Sequence, residues 1–246
     1  MKYLTLLDNV RVVLSHTSHP GNIGATARAM KTMGLSSLHL VNPKLFPDKA
    51  ADIRAVGARD ILDQAQVCTD IDMALDNTVM AAAVTARSRG LAHEVYDARQ
   101  GALELLSFAK KHPVALIFGA ETSGLTTTEV SKCQITINIP TNPDYSSLNL
   151  ASAVQVMAYE LHMALPEIEQ QEQPSRTPAK FKDIELFYEH LERVMVSTEF
   201  LDPGEPKRLM QRMRRLFSRS RLEREEVNIL RGILTAVEKR WQTERK

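Results

Sequence analysis

The chain reads as an α/β layer protein built on a parallel sheet, with a small all-helical extension after it. Three observations predict this. Short apolar runs alternate with helical patterns over residues 10–162, the signature of strands joined by helical crossovers. Runs such as VRVVLS, VMAAAV and VALIF are apolar almost throughout, as strands are when helices cover both faces of a sheet. Beyond the polar, proline-containing PEIEQQEQPSRTP only helical periodicity remains. The expected organisation is an α/β domain over 1–165, a linker over 166–180 and a helical extension over 181–246.

Taken in order, residues 10–15 form the first strand, and HTSHPGNIG is a loop broken at Pro20-Gly21. Residues 25–33 read as a helix stopped by Gly34. SLHLV is a second strand, ended by Asn42-Pro43. Residues 50–56 look helical, 66–68 a short strand and 71–75 a short helix. VMAAAV is a buried strand that opens into the polar loop TARSR. Residues 100–111 form an amphipathic helix with Leu103, Leu106 and Ala109 inward. VALIF then leads into GAETSGL, and 126–132 starts a helix. The most informative stretch follows. In ITINI, isoleucine alternates with polar residues, so it reads as a strand. Pro140, Asn142, Pro143 and Asp144 force a loop, and Ser146 and Ser147 are candidate helix N-caps. Leu150, Val154, Met157, Ala158 and Leu161 recur at helical spacing. A strand thus delivers a polar loop to the start of a buried helix, where free N–H groups and the positive dipole end suit a carboxylate or phosphate. A well-capped helix after a turn has the same local features. In the extension, helical patterns cover about 181–200, 205–218 and 222–241.

Composition narrows the class. With 43% hydrophobic residues among 246, the chain can build a sizeable core, which excludes wholesale disorder. Cys68 and Cys133 are the two cysteines and form no C-x-x-C, so neither a disulfide framework nor a structural zinc site is expected. No run approaches the ~20 apolar residues of a membrane span, and Asp8, Asn9 and Arg11 interrupt the apolar N-terminus. A soluble cytoplasmic protein is the expectation. The net charge of +1 hides an uneven distribution. Between Glu205 and Glu223 there is no acid, while Lys207, Arg208, Arg212, Arg214, Arg215, Arg219 and Arg221 fill the gap. Such a run is often only a solvated face, yet without counter-charge it suits phosphate binding.

In open α/β sheets, ligands sit at the carboxyl ends of the strands, here the loops after Ser15, Val84, Phe118 and Ile139. No G-x-x-x-x-G-K-[ST] and no G-x-G-x-x-G occurs, so ordinary nucleotide loops are missing. His16 and His19 share one loop without a nucleophile elbow, and a loop histidine is more often structural. What remains is polar and arginine-rich: Arg28, Arg87, Arg89, Glu121, Ser146, Ser147 and Asn149. Each alone reads as a surface or capping residue; together at the strand-end loops of one sheet they point to a site.

These residues resemble a known family. HPGNIGATARAMKTMG, FGAETSGLT and IPTNPDYSSLNLASAVQVMAYE are similar, in order and spacing, to the three motifs of the SPOUT RNA methyltransferases. TSHPGN, TARSR and the basic extension look most like the branch that methylates a tRNA ribose 2′-oxygen at anticodon-loop position 32. The resemblance implies a sheet whose last segment is threaded into a trefoil knot, and a homodimer with shared active sites. It implies S-adenosylmethionine held by Val84, Thr85, Ala86, Gly119, Ala120, Ile139, Ser146, Ser147 and Leu148. It assigns chemistry to Arg28, Ser147 and Asn149, with Glu121 in support. Arg87, Arg89, Lys207, Arg208, Arg212, Arg214, Arg215 and Arg219 are then expected to bind the anticodon stem-loop. The reaction requires no metal. A ribosomal ribose as target, or an RNA-binding protein on this fold without catalysis, are the alternative readings.

Overall fold

The computed structural model describes residues 4–86, 94–170 and 177–244. The first unit runs α1 (Leu4–Leu7), β1 (Val10–Ser15), α2 (Pro20–Thr32), β2 (Ser37–Val41), α3 (Lys49–Ala55), α4 (Arg59–Asp63), β3 (Gln66–Cys68) and α5 (Ile71–Leu75). It continues through β4 (Met80–Val84), β5 (Glu94–Asp97), α6 (Ala98–Ala109), β6 (Val114–Phe118), α7 (Thr127–Ser131), β7 (Ile135–Asn138) and α8 (Leu150–Gln170). The second holds α9 (Phe181–Ser197), α10 (Leu209–Ser220) and α11 (Arg224–Glu244). The chain divides into two compact units, Met1–Gln173 and Pro174–Lys246.

The seven described strands form one sheet in the order β3-β2-β1-β6-β4-β7-β5, parallel at every pairing. The apolar runs explain this: parallel strands need crossovers, and the crossover helices bury both faces. Val10, Val12 and Leu14 of β1, Met80 and Ala82 of β4, and Val114, Leu116 and Phe118 of β6 enter the main core. The alternate residues Val13, Ala81, Ala83, Ala115 and Ile117 are equally buried, on the other face by the two-residue period of a strand. α6, α8, α2 and α3 pack in sequence as one helical layer. Gly24 lets α2 approach α3: a Cβ there would lie 2.0 Å from the Ala51 carbonyl oxygen.

The structure departs from the sequence reading in definite places. α2 begins five residues earlier than expected, because Pro20 takes its first turn and the His19 ring caps it by accepting from the Gly21 N–H. β5 escaped notice because it is an edge strand with mostly exposed side chains; α1 and α4 escaped through brevity. α8 runs on to Gln170 through Pro166, into the stretch whose composition reads as a linker, since a proline removes a single helical donor without ending this helix. In the second unit, Phe187, Tyr188, Leu222 and Val227 form the core, with Phe217 edge-on to Phe187 at 4.9 Å. Among the described residues no helix is long and apolar enough to cross a membrane.

Candidate functional site

β1, β6, β4 and β7 are neighbours in the sheet, so the loops at their carboxyl ends converge. Three of these loops and the start of α8 enclose a cleft of about 340 Å³, within the ~300–1,000 Å³ typical of small-molecule sites. Val84, Thr85 and Ala86 line it after β4, Phe118 to Glu121 after β6, and Ile139, Thr141 and Ser146 to Leu148 after β7, with Leu150 and Ala153 of α8. All nine residues expected to hold the cofactor are in this lining. The loop after β6 folds tightly on itself, with Gly124 N–H donating to the Ala120 carbonyl at 2.8 Å. A Cβ on Gly119 would sit 2.1 Å from the Gly124 carbonyl carbon, so only glycine fits there.

Glu121 ties the converging loops together. Its carboxylate accepts from the Ser18 N–H at 2.9 Å, the Ser18 hydroxyl at 2.8 Å, the His19 N–H at 3.1 Å and the Asn22 amide at 2.8 Å. Burial pushes its pKa up, but the hydrogen bonds from the Ser18 backbone, the Asn22 side chain and their neighbours outweigh it and hold the group at about 2. The positive end of α2 acts in the same sense. Asn22 then accepts from the Asn149 amide at 3.1 Å, and Asn149 caps α8 by accepting from the Ala151 N–H at 3.0 Å. The cap of this helix is therefore Asn149, not Ser146 or Ser147: both serines lie in the preceding exposed loop. Ser18 and Asn22 were missed by sequence reasoning. Their signal lay in the quoted TSHPGN loop, where a short polar side chain two residues into a proline-started helix can point back at the loop.

Arg28 is not in the cleft lining. It is exposed on α2, and its guanidinium has no hydrogen-bond or ion-pair partner among the described residues. Arg87 and Arg89 lie outside the described residues.

In the second unit, Arg208, Arg212, Arg215 and Arg219 recur at spacings of four, three and four residues, which puts them on one side of α10. With Lys207 just before the helix, they have no side-chain hydrogen bond or ion pair among the described residues. Arg214 differs from its expected part. Its guanidinium makes a bidentate pair with Glu185, 2.5 and 2.7 Å long, and lies 4.4 Å from the Tyr188 ring centre. It faces the interior because Met210 and Phe217 on its side of the helix pack into the core, so it braces α10 on α9 rather than meeting solvent.

With this geometry in hand, comparison with known proteins is informative. Residues 9–159 match the profile of the SpoU rRNA Methylase family, and residues 182–246 that of the tRNA methyltransferase TrmJ, C-terminal domain. The chain is similar to the tRNA (cytidine/uridine-2'-O-)-methyltransferase TrmJ of Pectobacterium atrosepticum, 45% identical over 95% of this chain and 98% of that one. It resembles the crystal structure of TrmJ from Z. mobilis ZM4 with TM-score 0.82 and 31% identity, covering 93% of this chain and 98% of that one. A probable methylase family protein from Haemophilus influenzae Rd KW20 is 40% identical with TM-score 0.64, over 97% and 99% of the two chains.

Proposed function

The chain belongs to the SpoU methylase family and to its TrmJ branch, and from that premise we propose that it methylates the 2′-hydroxyl of cytidine or uridine at anticodon-loop position 32 of tRNA. S-adenosylmethionine is the methyl donor, held in the cleft between the loops after β4, β6 and β7. The observation that carries this reading is the cleft itself: one family motif supplies the Glu121 loop, another the Ser146–Leu148 loop, and the first motif's Asn22 joins them. The lining fits such a ligand chemically. Val84, Phe118, Ile139, Leu148 and Leu150 offer apolar walls, and Thr85, Thr141, Ser146 and Ser147 offer hydroxyls.

Bound there, the donor supplies a methyl already activated by its sulfonium. The protein's task is then to align the ribose hydroxyl and to accommodate its negative charge. Ser147, in the lining and exposed, hydrogen-bonds that hydroxyl and relays its proton outward to solvent water. Arg28 holds the adjoining phosphate and stabilises the developing alkoxide; a guanidinium keeps its proton and is no general base. Asn149 fixes the start of α8 and Glu121 fixes the loops, so both position rather than touch the reacting atoms. Arg28 stands outside its own chain's cleft, which supports a homodimer in which each Arg28 serves the partner's site. The trefoil threading implied by the motifs is supported by β7 lying between β4 and β5 while α8 packs on α6 and α2. The α10 stripe contacts the phosphates of the anticodon stem, a location consistent with cytoplasmic tRNA.

The test is to offer tritiated S-adenosylmethionine with unmodified tRNA transcripts and, separately, protein-free ribosomal RNA. Label confined to tRNA supports the proposal. Label on ribosomal RNA alone would favour another target, and labelling of neither, by folded protein, the non-catalytic reading.

A further inference from the structure

The second unit holds a cavity that the reaction proposed above leaves unused. It measures about 420 Å³ and lies between α9 and α11. His190 and Arg193 line it from α9, and Arg231, Gly232, Thr235 and Glu238 from α11. His190 is 6% exposed. Its Nε2 stands 3.4 Å from Glu238 Oε2, outside hydrogen-bond geometry, and has no hydrogen-bond partner among the described residues. A buried polar atom without a partner is costly and calls for one. Glu238 Oε1 accepts from Arg193 Nε at 3.2 Å. Arg231 is half-buried, and its guanidinium has no hydrogen bond or ion pair among the described residues. Arg231 and Glu238 are two turns apart on one side of α11, about 10 Å along its axis. Between them the helix surface is low. Thr235 is short, and nothing lies within 4 Å of where a Gly232 Cβ would be.

We propose that this cavity binds guanine, its ring laid over Gly232 and Thr235, with O6 and N7 toward Arg231 and the N1–H and N2–H groups toward Glu238. The mixture of charges selects the ligand. A bare phosphate fits poorly, because Glu238 repels it. Guanine is the base with two adjacent N–H donors on one edge, which suit a carboxylate that can accept twice. Its O6 and N7 acceptors suit a guanidinium. A base edge this rich in polar atoms also supplies a partner for His190 Nε2. Such an edge is offered by an unpaired guanine in an RNA loop and by a free guanine nucleotide. The inference concerns the helical unit alone and does not depend on methyl transfer.

The full-length chain carries its own reporter, since its one tryptophan, Trp241, stands one turn beyond Glu238 on α11. S-adenosylhomocysteine is kept present to hold nucleosides out of the cleft of the first unit. 5′-GMP should then change the Trp241 fluorescence saturably, at a several-fold lower concentration than 5′-AMP, 5′-CMP, 5′-UMP or inorganic phosphate. Arg231→Ala should weaken GMP binding several-fold. Gly232→Leu fills open space, so it should keep the wild-type melting temperature and lose the GMP response. Filter binding of unmodified tRNA to Gly232→Leu assigns the source. Weaker binding than wild type at the same salt places the guanine in tRNA, and equal binding makes it that of a free nucleotide. The proposal is overturned by the absence of saturable GMP binding in both fluorescence and calorimetry, by equal binding of all four nucleotides, or by phosphate matching GMP. A folded Gly232→Leu chain that binds GMP like the wild type overturns it too.

Discussion

At the scale of single residues, four donors on one carboxylate make Glu121 the most constrained group at the cleft. Removing it leaves the Ser18 and His19 N–H groups and the Asn22 amide without their acceptor. Each donor left unsatisfied costs about 1–3 kcal/mol where water cannot replace the bond, so Glu121→Ala should lower both the melting temperature and the affinity for S-adenosylmethionine, read by calorimetry. The pH dependence has a definite sign. Glu121 falls from an ordinary 4.5 to about 2 on folding, so its contribution is full above about pH 4.5 and fades as pH drops toward 2. Thermal melts of the wild type and Glu121→Gln should therefore differ most near neutrality, draw together below about pH 4.5 and converge only as pH approaches 2; a constant gap would remove Glu121 from the acid response. Arg28 has the opposite character. With no side-chain partner among the described residues of its own chain, Arg28→Ala should leave folding and cofactor affinity close to wild type and lower methyl transfer by at least two orders of magnitude. Normal turnover in a tritium assay would show that Arg28 takes no part.

At the scale of elements, the basic run on α10 splits into two roles, and mutation should separate them. Arg214→Ala breaks a largely enclosed pair with Glu185 and the stacking on Tyr188. A loss of about 1–3 kcal/mol of stability is expected, seen as earlier unfolding of the helical unit in urea. Arg212→Ala with Arg215→Ala should change stability by less than about 0.5 kcal/mol. It should instead flatten the dependence of tRNA affinity on salt by about 0.9 for each duplex phosphate no longer neutralised. If the double variant keeps the wild-type slope, the stripe only solvates the helix. The sequence showed this run as seven equal cations, because charge counting ignores helical phase and core partners. Other elements were legible where periodicity was strong. β1, β2, β3, α5 and β6 fall at their expected bounds, and the inward positions of α8 from Leu150 to Leu161 are all buried. The cap was assigned wrongly because serine and asparagine cap equally well from a distance, and only the Asn22 bond distinguishes them. β5 left no signal because an edge strand needs little apolar surface.

For the molecule as a whole, the parallel sheet and its site at the strand ends were readable from alternation alone, because buried strands and crossover helices write themselves as apolar runs. The lining residues after β4, β6 and β7 were readable only through motif resemblance, since nothing in their local pattern distinguishes them from ordinary turns. The division of labour follows from placing the cleft in Met1–Gln173 and the cationic stripe in Pro174–Lys246. A chain ending at Gln173 should fold, dimerise and bind S-adenosylmethionine, yet bind tRNA far more weakly at physiological salt; equal tRNA affinity by filter binding would refute the division. The central claim, that the acceptor is one ribose hydroxyl, has a more direct test. Two anticodon stem-loops embedded in the same tRNA should be compared, one with cytidine at position 32 and one with 2′-deoxycytidine there. Methyl transfer to the first and none above background to the second is the predicted result. Equal labelling of both would place the methyl elsewhere and contradict the account.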